Sequence, residues 1–315
     1  MRTRLAWLLL IAALLSGEAS AETLKVAAGQ RGNWDTAVCE LGQRGGIFRK
    51  YGLDLDILYT AGGGETQQAV LSRSVEIGVA AGTLGVLGAF SKGAPVRIIG
   101  AQATGAADYW YVPAASPIKT VADLAGHSIA YSTTGSSTNS IVLTLAAQDH
   151  LQFTPVATGG PPATFTQVMS GQVDAGWAAP PFGLDALKAG RIRFLFRGND
   201  LPTIRTQTTR VLITHAAELA QDRAVVDRFM QAYRATLDWM YSSPDALAIY
   251  AKFAGVSDAV AVSTRDDFFP KAMLNPDTVS GLDQVMADGV TFKFLSAPLT
   301  KAQLAQVIQI PGESP

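Results

Sequence analysis

Thr66-Gln67-Gln68-Ala69-Val70-Leu71-Ser72-Arg73-Ser74-Val75-Glu76-Ile77-Gly78-Val79-Ala80-Ala81 recurs without a gap as Thr164-Phe165-Thr166-Gln167-Val168-Met169-Ser170-Gly171-Gln172-Val173-Asp174-Ala175-Gly176-Trp177-Ala178-Ala179. Each copy reads as a short helix, a tight polar turn (Arg73-Ser74 or Gly171-Gln172), an acidic residue, and an apolar strand ending in small residues. Two copies of one helix-to-strand unit predict two similar α/β lobes, and a cleft between such lobes is the natural place for a ligand.

Outward from the first copy, Leu24 to Ala28 reads as a strand, and Gly29-Gln30-Arg31-Gly32-Asn33-Trp34 as the turn leading into a helix from Asp35 to Gly42. Gly52 to Leu58 alternates apolar with acidic, as a half-exposed strand does, and Pro95 to Gly100 supplies another strand. Tyr109 to Val112 and Arg210 to Ile213 are the candidate crossings between lobes. The second lobe then runs through a strand His127 to Ser132, the polar turn Thr133 to Asn139, a helix Ser140 to Gln148, the second copy, a helix Leu184 to Ala189 and a strand Ile192 to Phe196. Strand and helix alternate throughout, which predicts parallel sheets with helices on both faces. In the helix Val225 to Tyr241, Val226, Phe229, Met230, Tyr233, Leu237 and Met240 share one face, which reads as core packing.

At the N-terminus, Arg2 and Arg4 precede the apolar run Leu5 to Leu15 and the small-residue site Ala19-Ser20-Ala21, which reads as a cleaved secretory signal peptide over residues 1–21. No cysteine stands at the cleavage site to take a lipid, and the single cysteine, Cys39, has no internal disulfide partner. Export without disulfides fits a bacterial periplasm. With 25 basic against 26 acidic residues there is no electrostatic footprint for nucleic acid, and 48% hydrophobic with 16% charged residues argues for well-buried sheets. The expected division is 22–111 for the first part of lobe 1, 112–208 for lobe 2, and 209–315 for the return to lobe 1 with its C-terminal helices.

Ser116-Pro117-Ile118-Lys119-Thr120-Val121-Ala122-Asp123-Leu124-Ala125-Gly126-His127 and the following Gly135-Ser136-Ser137 resemble the sulfonate, taurine and pyrimidine-precursor (NMT1-like) binding proteins of bacterial ABC importers. Gly46 to Leu53, Gly171 to Ala175 and Pro181-Phe182 resemble further segments of that family, so the resemblance spans nearly all of the chain after residue 21. It implies a type II periplasmic binding fold, α/β, with two doubly wound lobes joined by two crossing strands, a ligand trapped on closure, and a membrane permease as partner. No cofactor, metal or nucleic acid is implied, and a monomer is expected.

Ligands of doubly wound sheets sit at the carboxyl ends of the strands, where helix N-termini converge. By the resemblance, the matching positions are Gln30, Asn33 and Trp34; Gly63, Gly64 and Glu65; Gly82 and Thr83; and, in lobe 2, Thr134, Gly135, Ser136, Ser137, Thr138, Trp177 and Pro180, with Tyr109 near the first crossing. Free N–H groups and hydroxyls at Thr134 to Thr138 suit a sulfonate or carboxylate oxygen, although Ser or Thr there also serves plain helix capping. Trp34 and Trp177 are candidates to sandwich an organic group. Where family members carry acids, this chain has Ala81-Gly82-Thr83 and Ala179-Pro180-Pro181, which argues against a cationic ligand. The expectation is therefore a receptor for a small organic anion, with a pyrimidine-precursor receptor or an enzyme on the same fold as the alternative. Three histidines (His127, His150, His215) without metal-ligand spacing and one distant cysteine weigh against the enzyme.

Overall fold

The computed structural model describes residues 21–312; the predicted signal peptide lies outside them except for Ala21. Ten strands are described: β1 (Glu22–Gly29), β2 (Leu53–Thr60), β3 (Ile77–Gly82), β4 (Val96–Thr104), β5 (Tyr109–Pro113), β6 (Ser128–Tyr131), β7 (Thr154–Ala157), β8 (Gly176–Ala178), β9 (Ile192–Arg197) and β10 (Thr208–His215). The first sheet has the order β2-β1-β3-β10-β4. In the second region β5 lies between β8 and β9, and β6 pairs with β7. The Ile129–Ala175 bridge joins these two groups, with Ala130 N–H donating to Ala175 O at 2.8 Å and Ala175 N–H to Ser128 O at 3.0 Å. The spatial order is thus β7-β6-β8-β5-β9, the same plan as the first sheet.

Neither sheet is all parallel as expected. β10 runs antiparallel to β3 and β4, and β5 antiparallel to β8 and β9. The cause is the crossing itself: a chain arriving from the other lobe enters at the cleft end, where the parallel strands finish, and must run the opposite way. β5 pairs wholly within the second sheet, so the chain changes sheets between Thr104 and Tyr109, upstream of the expected boundary at residue 111. The two crossings lie side by side: Gly105 N–H donates to Gln207 O (2.8 Å), Gly198 N–H to Asp108 O (2.8 Å), and Ala106 N–H to Asn199 Oδ1 (2.8 Å).

The repeat is written in hydrogen bonds as well as in sequence. Glu76 accepts from Lys25 N–H in β1 at 2.6 Å, and Asp174 accepts from Ser128 N–H in β6 at 2.8 Å. Each acid thereby ties its own strand to the neighbouring strand of its sheet. The first residue of each copy pairs hydroxyl to hydroxyl with a threonine six residues upstream, Thr66 with Thr60 at 2.7 Å and Thr164 with Thr158 at 2.6 Å. The turns agree too, with φ of 58° at Arg73 and 75° at Gly171.

Alternation along the strands divides the first lobe's core. Leu24, Val26, Ile77, Val79 and Leu212 face one layer, and Ala27, Ala81, Val211 and Ile213 the other. The helix Arg223–Ser242 closes the first layer with Val226, Phe229, Met230, Tyr233, Leu237 and Met240, all buried, which is the face expected from its periodicity. The observed helix after β1 starts at Val38 and not at Asp35. Among the described residues no single helix is long and apolar enough to cross a membrane.

Candidate functional site

The carboxyl ends of the parallel strands of both sheets face each other and touch. Gly64 N–H donates to Thr133 Oγ1 at 3.0 Å. A Cβ placed on Gly64 would fall well inside contact distance of Thr134 O, and one on Gly82 would do the same to Gly135 O. Gly82 has φ −69° and ψ 123°, values open to any residue, so the absence of a side chain there serves the approach of the lobes and not the backbone conformation. Gly64 and Gly82, expected as ligand contacts, act as the surfaces on which lobe 2 rests.

Behind this contact lies a cavity of about 10 Å³ lined by Gln30, Gly63, Asp108, Ser132, Ser136, Ser137, Thr138 and Arg210, among others, with room for about one water molecule. The lobes are therefore closed tightly on a polar floor. Ser136 is the N-cap of the helix Ser137–Gln148, and its Oγ accepts from Asn139 N–H at 3.2 Å. Thr138 Oγ1 accepts from Ser132 N–H at 2.9 Å. Ser136 and Thr138 are thus committed to capping and to the turn, whereas the N–H groups of Ser137 and Thr138, in the first turn, have no acceptor within their own helix. Gly135 (φ 80°) brings its N–H to Asn139 Oδ1 at 3.1 Å, and Thr134 is exposed.

Arg210 is the cation on this floor, and the strand reading passed over it. Its guanidinium is buried, with Nη2 3.2 Å from Asp35 Oδ2 and 3.5 Å from Asp108 Oδ2. Gln102 Nε2 donates to the Asp35 carboxylate at 3.1 Å. Burial pushes the Asp108 carboxyl above the usual carboxylate range, a trend that Arg210 opposes and Asp35 reinforces. The two acids keep the Arg210 guanidinium charged against its own desolvation. A charged residue inside an apolar strand was the signal available in sequence. The acids here are Asp108, which lines the floor, and Asp35 behind it, both within ion-pair distance of the one arginine.

The remaining expected positions divide between floor and core. Gln30 lines the cavity in a left-handed conformation (φ 57°), and its Oε1 accepts from Asn33 Nδ2 at 3.2 Å, leaving Asn33 Oδ1 buried without a partner. Thr83 is buried with an unpartnered hydroxyl in a second small space between the lobes. Glu65 is exposed and accepts from Ala61 N–H at 2.9 Å, serving its own helix start. The tryptophans form no sandwich. Trp34 is fully buried in lobe 1, donating to Tyr241 Oη at 2.9 Å and edge-on to Tyr250, while Trp177 is fully buried in lobe 2, donating to Gly159 O at 3.2 Å. Tyr109 packs in lobe 2 and donates to Phe182 O, and Pro180 is buried in the turn after β8. The loop arginines serve local structure: Arg205 donates to Asn199 O, and Arg31 lies 4.5 Å over the Phe253 ring.

Comparisons with known proteins agree with this architecture. A curated Escherichia coli (strain K12) protein named for binding aliphatic sulfonates is 32% identical over 187 residues, covering 55% of this chain and 54% of that protein, so the chain spans about half the length of the curated relative it matches. The alkanesulfonate-binding protein SsuA of Xanthomonas axonopodis pv. citri, solved bound to MOPS, superposes with a TM-score of 0.73 at 20% identity, covering 91% of this chain and 98% of that one. The periplasmic aliphatic sulphonate binding protein SsuA of Escherichia coli gives 0.70 at 21%, covering 93% and 94%. These two structures share the two-lobed fold. The NMT1/THI5 like family model matches residues 34–247, from the turn after β1 through both lobes and the return, and the chain belongs to that family.

Proposed function

We propose that the chain is the ligand-capturing component of a periplasmic ABC importer, a receptor without catalytic activity that closes on a small organic anion, a sulfonate or carboxylate, and presents it to an inner-membrane permease as a monomer. One observation carries this reading: the free N-terminus of the helix Ser137–Gln148 and the Arg210 guanidinium line the same buried floor between the lobes. A helix N-terminus and a guanidinium both favour negative charge, and low dielectric strengthens both. Asp108 supports it further. Burial pushes its carboxyl above the usual carboxylate range, which favours the form able to donate a hydrogen bond to an incoming oxygen, while Arg210 opposes that trend. The ligand enters when the Gly64–Thr133 contact opens, and closure around it is favoured because the closed form gains contacts that the open form lacks. The single thiol gives no support to an enzyme, since Cys39 is buried and its ionisation is pushed far up by desolvation.

The test is a thermal-shift and calorimetric series of methanesulfonate, ethanesulfonate and acetate against methylammonium on the purified protein. Anions are expected to raise Tm and methylammonium to leave it unchanged. Affinity is expected to fall as pH rises through the Asp108 titration, because ionised Asp108 repels the anion, and Asp108→Asn flattens that dependence. Stabilisation by the cation alone, or by none of the four, would remove the anion reading.

A further inference from the structure

A larger cavity, about 390 Å³, is lined in part by the turn after β8 and shares no lining residue with the cleft floor. Its volume lies in the range of small-molecule sites, about 300–1,000 Å³. Tyr111, Phe165 and Phe182 give it aromatic walls, with Pro161 and Pro181 beside them. Lobe 1 supplies one edge through Ala254 and Val256, at the end of the helix Pro244–Ala254, which is anchored in the first lobe's core by Tyr250 and Phe253.

Two polar features give this apolar space a chemical preference. The Tyr111 hydroxyl is buried, with the residue 1% exposed, and has no hydrogen-bond partner. Such a group carries a desolvation cost that an acceptor removes. At the mouth, the exposed Arg191 guanidinium lies 5.4 Å from the Phe165 ring centroid and makes none of the observed ion pairs. A guanidinium stacked on an aromatic wall is oriented to take a planar carboxylate with two parallel hydrogen bonds. Asp185, also on the lining, is solvent-exposed.

We propose that this cavity is a second ligand site, separate from the cleft floor, that binds an aromatic carboxylate: the ring lies among Phe165, Phe182 and Tyr111, and the carboxylate meets Arg191. Because Ala254 and Val256 belong to lobe 1 and the aromatic walls to lobe 2, an occupant touches both lobes and favours their approach. The site stands on its own lining and holds whether or not the cleft floor takes an anion.

The test is fluorescence titration of the full chain with 2-naphthoate, whose emission reports transfer out of water. Saturable binding is expected. Ala254→Phe, at a half-buried position on the rim, fills the space and should abolish it, while Arg191→Gln should weaken it about tenfold, the worth of one charge-assisted hydrogen bond. Tyr111→Phe should weaken binding several-fold without lowering Tm, since it removes an unpartnered hydroxyl; a structural role for that hydroxyl would lower Tm instead. The inference is overturned by the absence of saturable binding at millimolar 2-naphthoate, by unchanged affinity in both Ala254→Phe and Arg191→Gln, or by competitive displacement with methanesulfonate, which would place the ring in the cleft.

Discussion

The two lobes share one plan and differ in what they bring to the cleft. Both sheets run in the same strand order, and in both the acid of the repeat and a threonine pair hold equivalent positions. Lobe 1 builds this plan from long strands, up to 9 residues in β4, whereas the second sheet's longest, β9, has 6. At the cleft lobe 1 presents bare backbone, Gly82 at the end of β3 and Gly64 in the first turn of the helix after β2, against which a neighbour can rest. Lobe 2 has a β8 of three residues and stiffens it with aromatic packing, Trp110 stacked on Phe196 at 4.6 Å and Trp177 buried next to them. It is lobe 2 that carries the hydroxyls and the helix N-terminus. The duplicated part of each lobe makes the scaffold, and the polar groups of the floor come from outside the copies.

The sharpest way to break this comparison is at the joint, where Arg210 of the returning strand meets Asp35 and Asp108. Arg210→Met leaves two buried carboxyls without a counter-charge and should cost about 3–5 kcal/mol in urea unfolding. Asp108→Asn should cost far less, because burial already favours the neutral acid. A loss under about 1 kcal/mol for Arg210→Met would mean that the triad is not what joins the crossings. Next in size is Gly82→Ala, which should leave Tm nearly unchanged yet penalise the closed form by about 1–3 kcal/mol of overpacking, read as weaker ligand binding and a larger radius in X-ray scattering. Smallest is the contrast of neighbouring serines. Ser136→Ala removes the N-cap and should cost about 1 kcal/mol of stability, while Ser137→Ala should leave stability unaltered and weaken anion binding. Equal stability loss in both would assign the whole turn to capping.

Much of this was legible in the repeat. Its helices appear as Gly63–Leu71 and Pro161–Met169 and its strands as β3 and β8, because the apolar spacing and turn residues in each copy agree with the packing they meet. Strand direction was hidden, since β5 and β10 look like any apolar run and only the route of the chain decides which way they lie. The site was half legible. Ser137 and Gln30 do line the floor, but a tryptophan after a strand reads alike whether its indole faces a ligand or, as in Trp34, donates to Tyr241. Beyond that one charged residue in an apolar strand, the Arg210 triad was hidden: its members stand at 35, 108 and 210, and no local pattern announces that two loops and a strand converge.

The position of β10 in the first sheet also sets an order of assembly. β10 separates β3 from β4 and bonds to both, yet it begins at Thr208, after every strand of the second sheet has been passed. Lobe 2 takes its five strands from one unbroken stretch, Tyr109 to Arg197, and can form its sheet as soon as that stretch is available. Lobe 1 must hold a gap open across roughly a hundred residues of chain, and closing it carries the entropy and delay of a long-range contact. During synthesis from the N-terminus, the half that emerges first is therefore the half that finishes last.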